Sequence, residues 1–285
     1  MSSVSKRSVF SSHKSKRWAL LTPFILLTVL LVIVPMTMVI IKSFLPSADG
    51  TVKDNWSIIN NFILSKIVSS LIIAVIATAV CVILAYPFAY FLAMSKGTVF
   101  KTLAIFVATA PIWTSFLVKL IGLKTFFDLM YGMNNSTYGN IYTIIGLIYL
   151  YFPFMLMPLY SVLNDMPRNY IYASHDLGYG GWKTFWKITV PYSKIALASG
   201  ITLVFLPALT TVAVPQFLNN SNDNSMIGDI IVQEGEQGMT SDIALARAST
   251  LSLVLSLIIL GGYGIFVFST KVGGKIYRKY REHHV

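Results

Sequence analysis

The chain has 285 residues, of which 55% are hydrophobic and only 12% charged, with a formal net charge of +11. Soluble domains carry roughly 25% charged residues, so a soluble fold is excluded and lipid is the solvent for most side chains. The basic residues sit in short segments between apolar runs, which argues against nucleic acid as partner, and a single cysteine, Cys81, excludes a disulfide framework or a thiolate metal site.

Residues 1–17 form a basic, Ser-rich tail that leads into an apolar run, Trp18–Ile41. The run is longer than a signal-peptide core and no small-residue cleavage site follows it, so an uncleaved first helix is expected. A span needs about 20 mostly apolar residues. Five further segments qualify: Ile67–Ala93, Leu103–Ile121, Ile141–Leu163, Ile195–Phe217 and Ala248–Phe268. Cys81 falls in the second, where it is expected to serve as a small apolar residue. Pro111 interrupts the third, and Lys119 lies near its end. The expected fold is all-α and polytopic, with about six transmembrane helices over residues 18–270 and a basic tail at 271–285.

Orientation follows from the basic residues in the connections. With the N-terminus inside, sixteen of the 22 Lys and Arg face the cytoplasm against only Asp165, Asp176 and Glu282, while six face outward against eight acids. Both termini are therefore expected in the cytoplasm of a cell-membrane protein. Asn135-Ser136-Thr137 and Asn219-Asn220-Ser221 match the N-glycosylation triplet, a pattern too short to carry weight.

The internal connection of residues 164–194 is the informative one, because long connections are usually functional or disordered. Asp165 and Pro167 supply a helix start and Gly178 a stop. Between them Tyr170, Ala173 and Leu177 share one face at helical spacing, and the small pair Ala173-Ser174 lets another surface come close. A second short amphipathic segment carries Trp182, Phe185, Trp186 and Thr189 on one side, with Pro191 expected to break the chain before the fifth span. Such an element suits a socket in a partner protein, or lies at the headgroups as an interfacial helix; physical reasoning leaves both open.

The stretch Tyr172-Ala173-Ser174-His175-Asp176-Leu177-Gly178, then nine residues, then Ile188-Thr189-Val190-Pro191, resembles the EAA motif of binding-protein-dependent ABC importer permeases. That motif reads Glu-Ala-Ala-x-x-x-Gly, nine residues, then Ile-x-Leu-Pro, between the fourth and fifth of six spans. Tyr172 here replaces the usual glutamate, Ser174 an alanine and Val190 a leucine. The resemblance implies a type I importer permease fold in which Tyr172, Ala173, Ser174, Asp176, Leu177 and Gly178 dock an ATPase subunit. The family's glutamate is thought to contact a basic residue of that ATPase, and Tyr172 removes the carboxylate while leaving the rest of the element.

Further blocks, Ala85-Tyr86-Pro87-Phe88-Ala89-Tyr90-Phe91-Leu92-Ala93, Pro111-Ile112-Trp113-Thr114-Ser115, Gly122-Leu123-Lys124 and Phe152-Pro153-Phe154-Met155-Leu156-Met157-Pro158-Leu159-Tyr160, are similar to the first permease subunit of spermidine/putrescine importers. With the loop, the resemblance covers about Leu71 to Phe268. It implies a second permease subunit, most simply a different chain, two ATP-binding-cassette ATPase subunits and an extracytoplasmic substrate-binding protein. Sulfate, molybdate or ferric iron are the rival cargoes within this machine. An ATP-independent secondary transporter is the rival outside it, and would call for intramembrane carboxylates.

No phosphate-binding loop occurs: Gly180-Gly181-Trp182-Lys183-Thr184 has tryptophan where glycine must precede the lysine. ATP and Mg are therefore expected on the partner ATPases, with no cofactor on this chain. His13, His175, His283 and His284 have no metal-ligand spacing, and no nucleophile has a base, so no catalytic residue is expected. Pro87, Pro111, Pro153, Pro158, Pro207 and Pro215 fall in or near spans, as packing kinks or as hinges beside the pathway. Aromatic faces and carboxylates suit a polycation, so Trp113, Asp128, Tyr149, Tyr151 and Tyr160 are candidate pathway residues. No acidic residue lies deep within a predicted span, which leaves cargo specificity to the binding protein and the sister permease. Lys119 would repel a polycation unless it snorkels or pairs with a carboxylate.

Overall fold

The computed structural model describes residues 21–48, 50–131, 138–219 and 226–282, the side chains of residues 131 and 265–282 excepted. The N-terminal tail with Trp18, the Asn135 triplet, Asn220 and Ser221 of the second triplet, and the side chains of the basic tail 271–285 lie outside the described residues. Among the described residues every regular element is a helix. In chain order these are α1 (Leu21–Phe44), α2 (Val52–Trp56), α3 (Asn61–Met94), α4 (Thr98–Trp113), α5 (Phe116–Tyr131), α6 (Gly139–Asn164), α7 (Asn169–Asp176), α8 (Gly181–Thr210), α9 (Ala213–Leu218), α10 (Ile227–Gln237) and α11 (Asp242–Glu282). Five are long and apolar enough to cross a membrane, and α4 with α5 makes a sixth span if the pair is counted as one. The protein is thus an all-α membrane protein of five to six spans.

The chain divides into two compact units, residues 1–59 with 234–285, and residues 60–233. In the first unit α1 packs along α11, and the short α2 packs against both. None of the most apolar stretch of α1 is buried, as expected of a helix whose side chains are solvated by lipid. The C-terminal end of α1 is tied by an ion pair between Lys42 and Asp242, whose second oxygen accepts the Ala48 N–H at 2.7 Å. A capping box starts α2: the Thr51 N–H and hydroxyl donate to Asp54 at 2.7 and 2.8 Å. These bonds hold the Asp54 carboxyl below the usual carboxylate range.

In the second unit α3, α6 and α8 pack on one another. The face that α3 buries is a seam of small side chains, Ala74, Ala77, Cys81, Ala85, Ala89 and Ala93, all at most 1% exposed. Spaced three or four residues apart, they lie on one stripe. Small residues let membrane helices approach closely, the route to association when lipid removes the hydrophobic drive between helices. Met155, Leu156, Leu159 and Val204 fill the opposite side. Gly200 of α8 faces Met155, where a Cβ would come within 2.8 Å of Sδ.

Two of the expected spans differ in form. The third, expected as Leu103–Ile121, is two helices bent by 98°. Pro111 removes a helical hydrogen bond, Thr114 adopts an extended conformation, and the freed Pro111 carbonyl accepts the Thr114 hydroxyl at 3.2 Å and the Lys119 ammonium at 2.6 Å. Lys119 is thus held by a carbonyl instead of a carboxylate. The fifth span starts at Gly181, well before the expected Ile195, because Pro191 does not break the chain. A π-turn at Phe185–Thr189 precedes it, with the Val190 N–H bonded to the Phe185 oxygen. The wider turn shifts the hydrogen-bond register where proline has no N–H to donate, so the helix continues. The same device recurs in α1, where the π-turn Val29–Ile33 precedes Pro35. At its far end α8 stops at Thr210, short of the expected Phe217. Pro207 weakens the last turn and the β-branched Thr210-Thr211-Val212 disfavours resumption until α9.

Candidate functional site

The connection from α6 to α8 is a helix–glycine–helix element. Its first helix, α7, begins just after Pro167, whose carbonyl accepts the Tyr170 N–H at 3.1 Å. The helix ends in a Schellman motif: the Tyr179 N–H bonds the Ser174 oxygen at 3.0 Å and the Gly178 N–H bonds the His175 oxygen at 2.8 Å. That closure requires a left-handed residue, and Gly178 supplies it with φ 75°. Gly178 is therefore needed for its backbone, since the space around it is open.

The side chains of the motif divide into two sets. Tyr172, Ala173, Asp176, Leu177 and Gly178 are exposed, Tyr172 at 62% and Leu177 at 75%. Ser174 turns inward and is buried: its hydroxyl donates to the Ile171 oxygen at 2.7 Å and shares a 2.8 Å hydrogen bond with the Thr184 hydroxyl. The small pair therefore does two jobs, with Ala173 leaving the outer surface open and Ser174 fastening α7 to the start of α8.

The amphipathic segment that follows also splits. Phe185 packs edge-on to Tyr86 and Tyr90 of α3, with ring centroids 5.2 and 5.4 Å away, and Thr189 is buried. Below Thr189 in the same helix, Ser193 shares a 2.5 Å hydrogen bond with the Tyr86 hydroxyl. Trp182 stacks on Phe185 at 6.1 Å yet stays 74% exposed, and Trp186 is also exposed. The element thus offers Tyr170, Tyr172, Leu177, Trp182 and Trp186 to the outside while Phe185 anchors it to α3.

Sequence reasoning missed two cations beside this element. A guanidinium nitrogen of Arg168 donates to the Ala93 carbonyl at 2.6 Å, and Lys101 Nζ donates to the same oxygen at 3.2 Å and to Asn164 Oδ1 at 3.3 Å. The Arg168–Ala93 and Lys101–Asn164 contacts span 75 and 63 residues of sequence, and no local pattern announces them.

The candidate pathway residues do not converge. Trp113 ends α4 and is 79% exposed, Asp128 is half-buried on α5, and Tyr149 is exposed on α6. Tyr151 lies on another side of α6, near Phe154 at 6.2 Å and hydrogen-bonded to Thr211. Tyr160 donates to Asn164 at 3.4 Å. Among the described residues no hydrogen bond or ring contact joins Trp113, Asp128 and Tyr149 to one another. The structure does show one buried carboxylate that the span boundaries had left in a loop. Asp229, at the start of α10, accepts from Gln216 of α9 at 2.6 Å and from Gln233 at 3.3 Å.

Comparison with known proteins agrees with this architecture. Residues 85–271 match the family described as binding-protein-dependent transport system inner membrane component, a family of transport permeases. Among relatives, a Mycoplasma genitalium protein named spermidine/putrescine transport system permease protein PotB homolog is 40% identical over 288 residues, 95% of this chain and 98% of the relative. Its Mycoplasma pneumoniae namesake is 40% identical over 267 residues, 90% of this chain and 93% of the relative. The Escherichia coli spermidine/putrescine transport system permease protein PotB is 32% identical over 252 residues, 81% of this chain and 91% of the relative. The match spans the bent helix pair, the α6–α8 element and most of the helical bundle, and the chain belongs to the family of binding-protein-dependent transport system inner membrane components.

Proposed function

We propose that this chain is a transmembrane permease subunit of an ATP-binding-cassette importer for polyamines, spermidine and putrescine. The observation that carries the reading is the α6–α8 element, which exposes Tyr170, Tyr172, Leu177, Trp182 and Trp186, five large apolar or aromatic side chains on one short connection. The cargo follows the names carried by relatives that resemble the chain along almost its whole length.

In this reading Tyr172, Ala173, Asp176, Leu177 and Gly178 form the surface that meets an ATPase subunit, and Ser174 acts behind them by holding α7 against α8. A second permease subunit pairs with this chain to enclose the pathway. Two ATPases bind ATP and Mg, and an extracytoplasmic binding protein delivers the substrate. In this reading both termini lie in the cytoplasm, which the distribution of Lys and Arg supports. Trp113, Asp128, Tyr149, Tyr151 and Tyr160 remain candidates for the route. ATP-driven closure of the ATPases tilts the docking loops and switches the pathway between its two openings.

The test is uptake of labelled spermidine and putrescine by cells with and without the gene, with ATP depletion, and with sulfate and molybdate as control cargoes. Loss of ATP-dependent polyamine uptake alone is expected. Intact polyamine uptake would remove the cargo assignment, and ATP-independent uptake through this chain would overturn the importer reading.

A further inference from the structure

We infer that Arg168 is a positioning residue through which the docking loop moves α3, α4 and α6 together. The inference rests on the docking reading above and adds to it the point at which force leaves the loop.

The last carbonyls of any helix lack intrahelical partners. At the end of α3 the Ser95 N–H takes the Phe91 and Leu92 oxygens at 3.0 and 3.2 Å. The next oxygen, that of Ala93, takes the Arg168 guanidinium at 2.6 Å and the Lys101 ammonium at 3.2 Å. Two cations thus meet at the negative end of a 34-residue helix, where the macrodipole favours them. Ala93 is 1% exposed, so little water competes for the bond, and charge-assisted hydrogen bonds of this kind are short and strong.

The position of Arg168 in the chain matters as much as its charge. Its own carbonyl accepts the Ile171 and Tyr172 N–H groups at 3.0 and 3.1 Å, so the residue is built into the first turn of α7. Arg168 therefore begins the docking helix and terminates α3. The loop is covalently continuous with α6 and α8, but it has no chain connection of its own to α3 or α4. Phe185 touches α3 through Tyr86 and Tyr90, an apolar contact that can slide, and the Ser193–Tyr86 hydrogen bond ties α3 to α8 and not to the docking helix α7. The carbonyl bond is directional and resists sliding. Lys101, in the first turn of α4, spreads the attachment by bridging Ala93 and the Asn164 side chain at the end of α6.

The experiment uses the complete complex, with partner permease, ATPases and binding protein, in proteoliposomes. It reads spermidine moved per ATP hydrolysed. Arg168→Gln keeps a donor but loses the charge and the reach, and is expected to leave assembly and ATP hydrolysis near wild type while transport per ATP falls about tenfold, the scale of one charge-assisted hydrogen bond. Arg168→Lys should recover part of the loss, which a merely structural role would not predict. Lys101→Met leaves the Arg168 bond in place and should lower the ratio about twofold to threefold. Wild-type transport per ATP in Arg168→Gln would overturn the inference. If that variant does not assemble, an unchanged ratio in Lys101→Met overturns it instead. Failure of the docking reading looks different: a Leu177→Asp complex that retains its ATPases sinks that reading whatever Arg168 does.

Discussion

At the scale of single residues, the sequence motif and the structure part company in an instructive way. Gly178 was legible from its place after a helical pattern, and its left-handed backbone is the reason. Gly178→Ala meets no neighbouring atom, so its cost is conformational, about 1 kcal/mol; it should appear as faster proteolysis of the loop with little change in the spans. The motif alone puts Ser174 on the docking surface with Ala173, because nothing local distinguishes the two. Only the approach of Thr184, ten residues on, turns it inward. Ser174→Ala leaves a buried Thr184 hydroxyl without that partner and should cost about 1–2 kcal/mol. Adding Thr184→Val should cost little more, since both changes remove the same bond; a thermal-stability cycle on the detergent-solubilised protein checks this. The titration of Asp54 has a clear stability sign. Its folded pKa is depressed, so the capping box helps α2 at neutral pH and is lost as pH falls through that lowered value. Thr51→Ala keeps the backbone N–H bond and should only weaken the dependence, whereas Asp54→Asn should abolish it, seen as loss of acid-sensitive labelling of residues near α2.

At the scale of elements, apolar run length located five helices able to span and the bent pair that makes a sixth if counted as one, because lipid leaves few alternatives to a helix about 30 Å long. What run length could not give was how each proline would be handled. Pro111 breaks its span at 98° while Pro191 is carried through an unbroken helix. The difference lies in the neighbours. Thr114 and Lys119 are at hand to take the Pro111 carbonyl, whereas the turn before Pro191 widens by one residue. Lys119→Met should therefore loosen the bend and lower stability by about 1–2 kcal/mol, measurable as a fall in Tm of the purified protein. Deleting exposed Lys187 should remove the extra residue of the π-turn and rotate everything before it by about 100°. That rotation turns Phe185 away from Tyr86 and Tyr90 of α3 and swings the docking surface with it, so the ATPases should no longer co-purify, while insertion in the membrane is retained.

At the scale of the whole molecule, charge distribution makes a prediction that chemistry can check directly. Cys81 is fully buried, which leaves the native chain a quiet background for thiol labelling. In intact cells a membrane-impermeant maleimide should label Lys53→Cys and spare Leu177→Cys, both sites being exposed; the opposite pattern would reverse the orientation. The helical bundle itself could be anticipated from composition, but the face that α3 buries could not, since alanine is common everywhere in membrane helices. The seam on α3 has a mechanical meaning. Methyl-sized side chains have no rotamers to exchange, so the facing Met155, Leu156 and Leu159 can shift over them with no ridge on α3 to unlock. Ridges of leucine interdigitate like gear teeth, whereas a row of alanines behaves as a bearing. A transporter that must rock between two openings gains from low friction along such a buried seam. Ala85→Ser should run as smoothly as the native residue, and Ala85→Leu should jam, slowing turnover even in molecules that still fold.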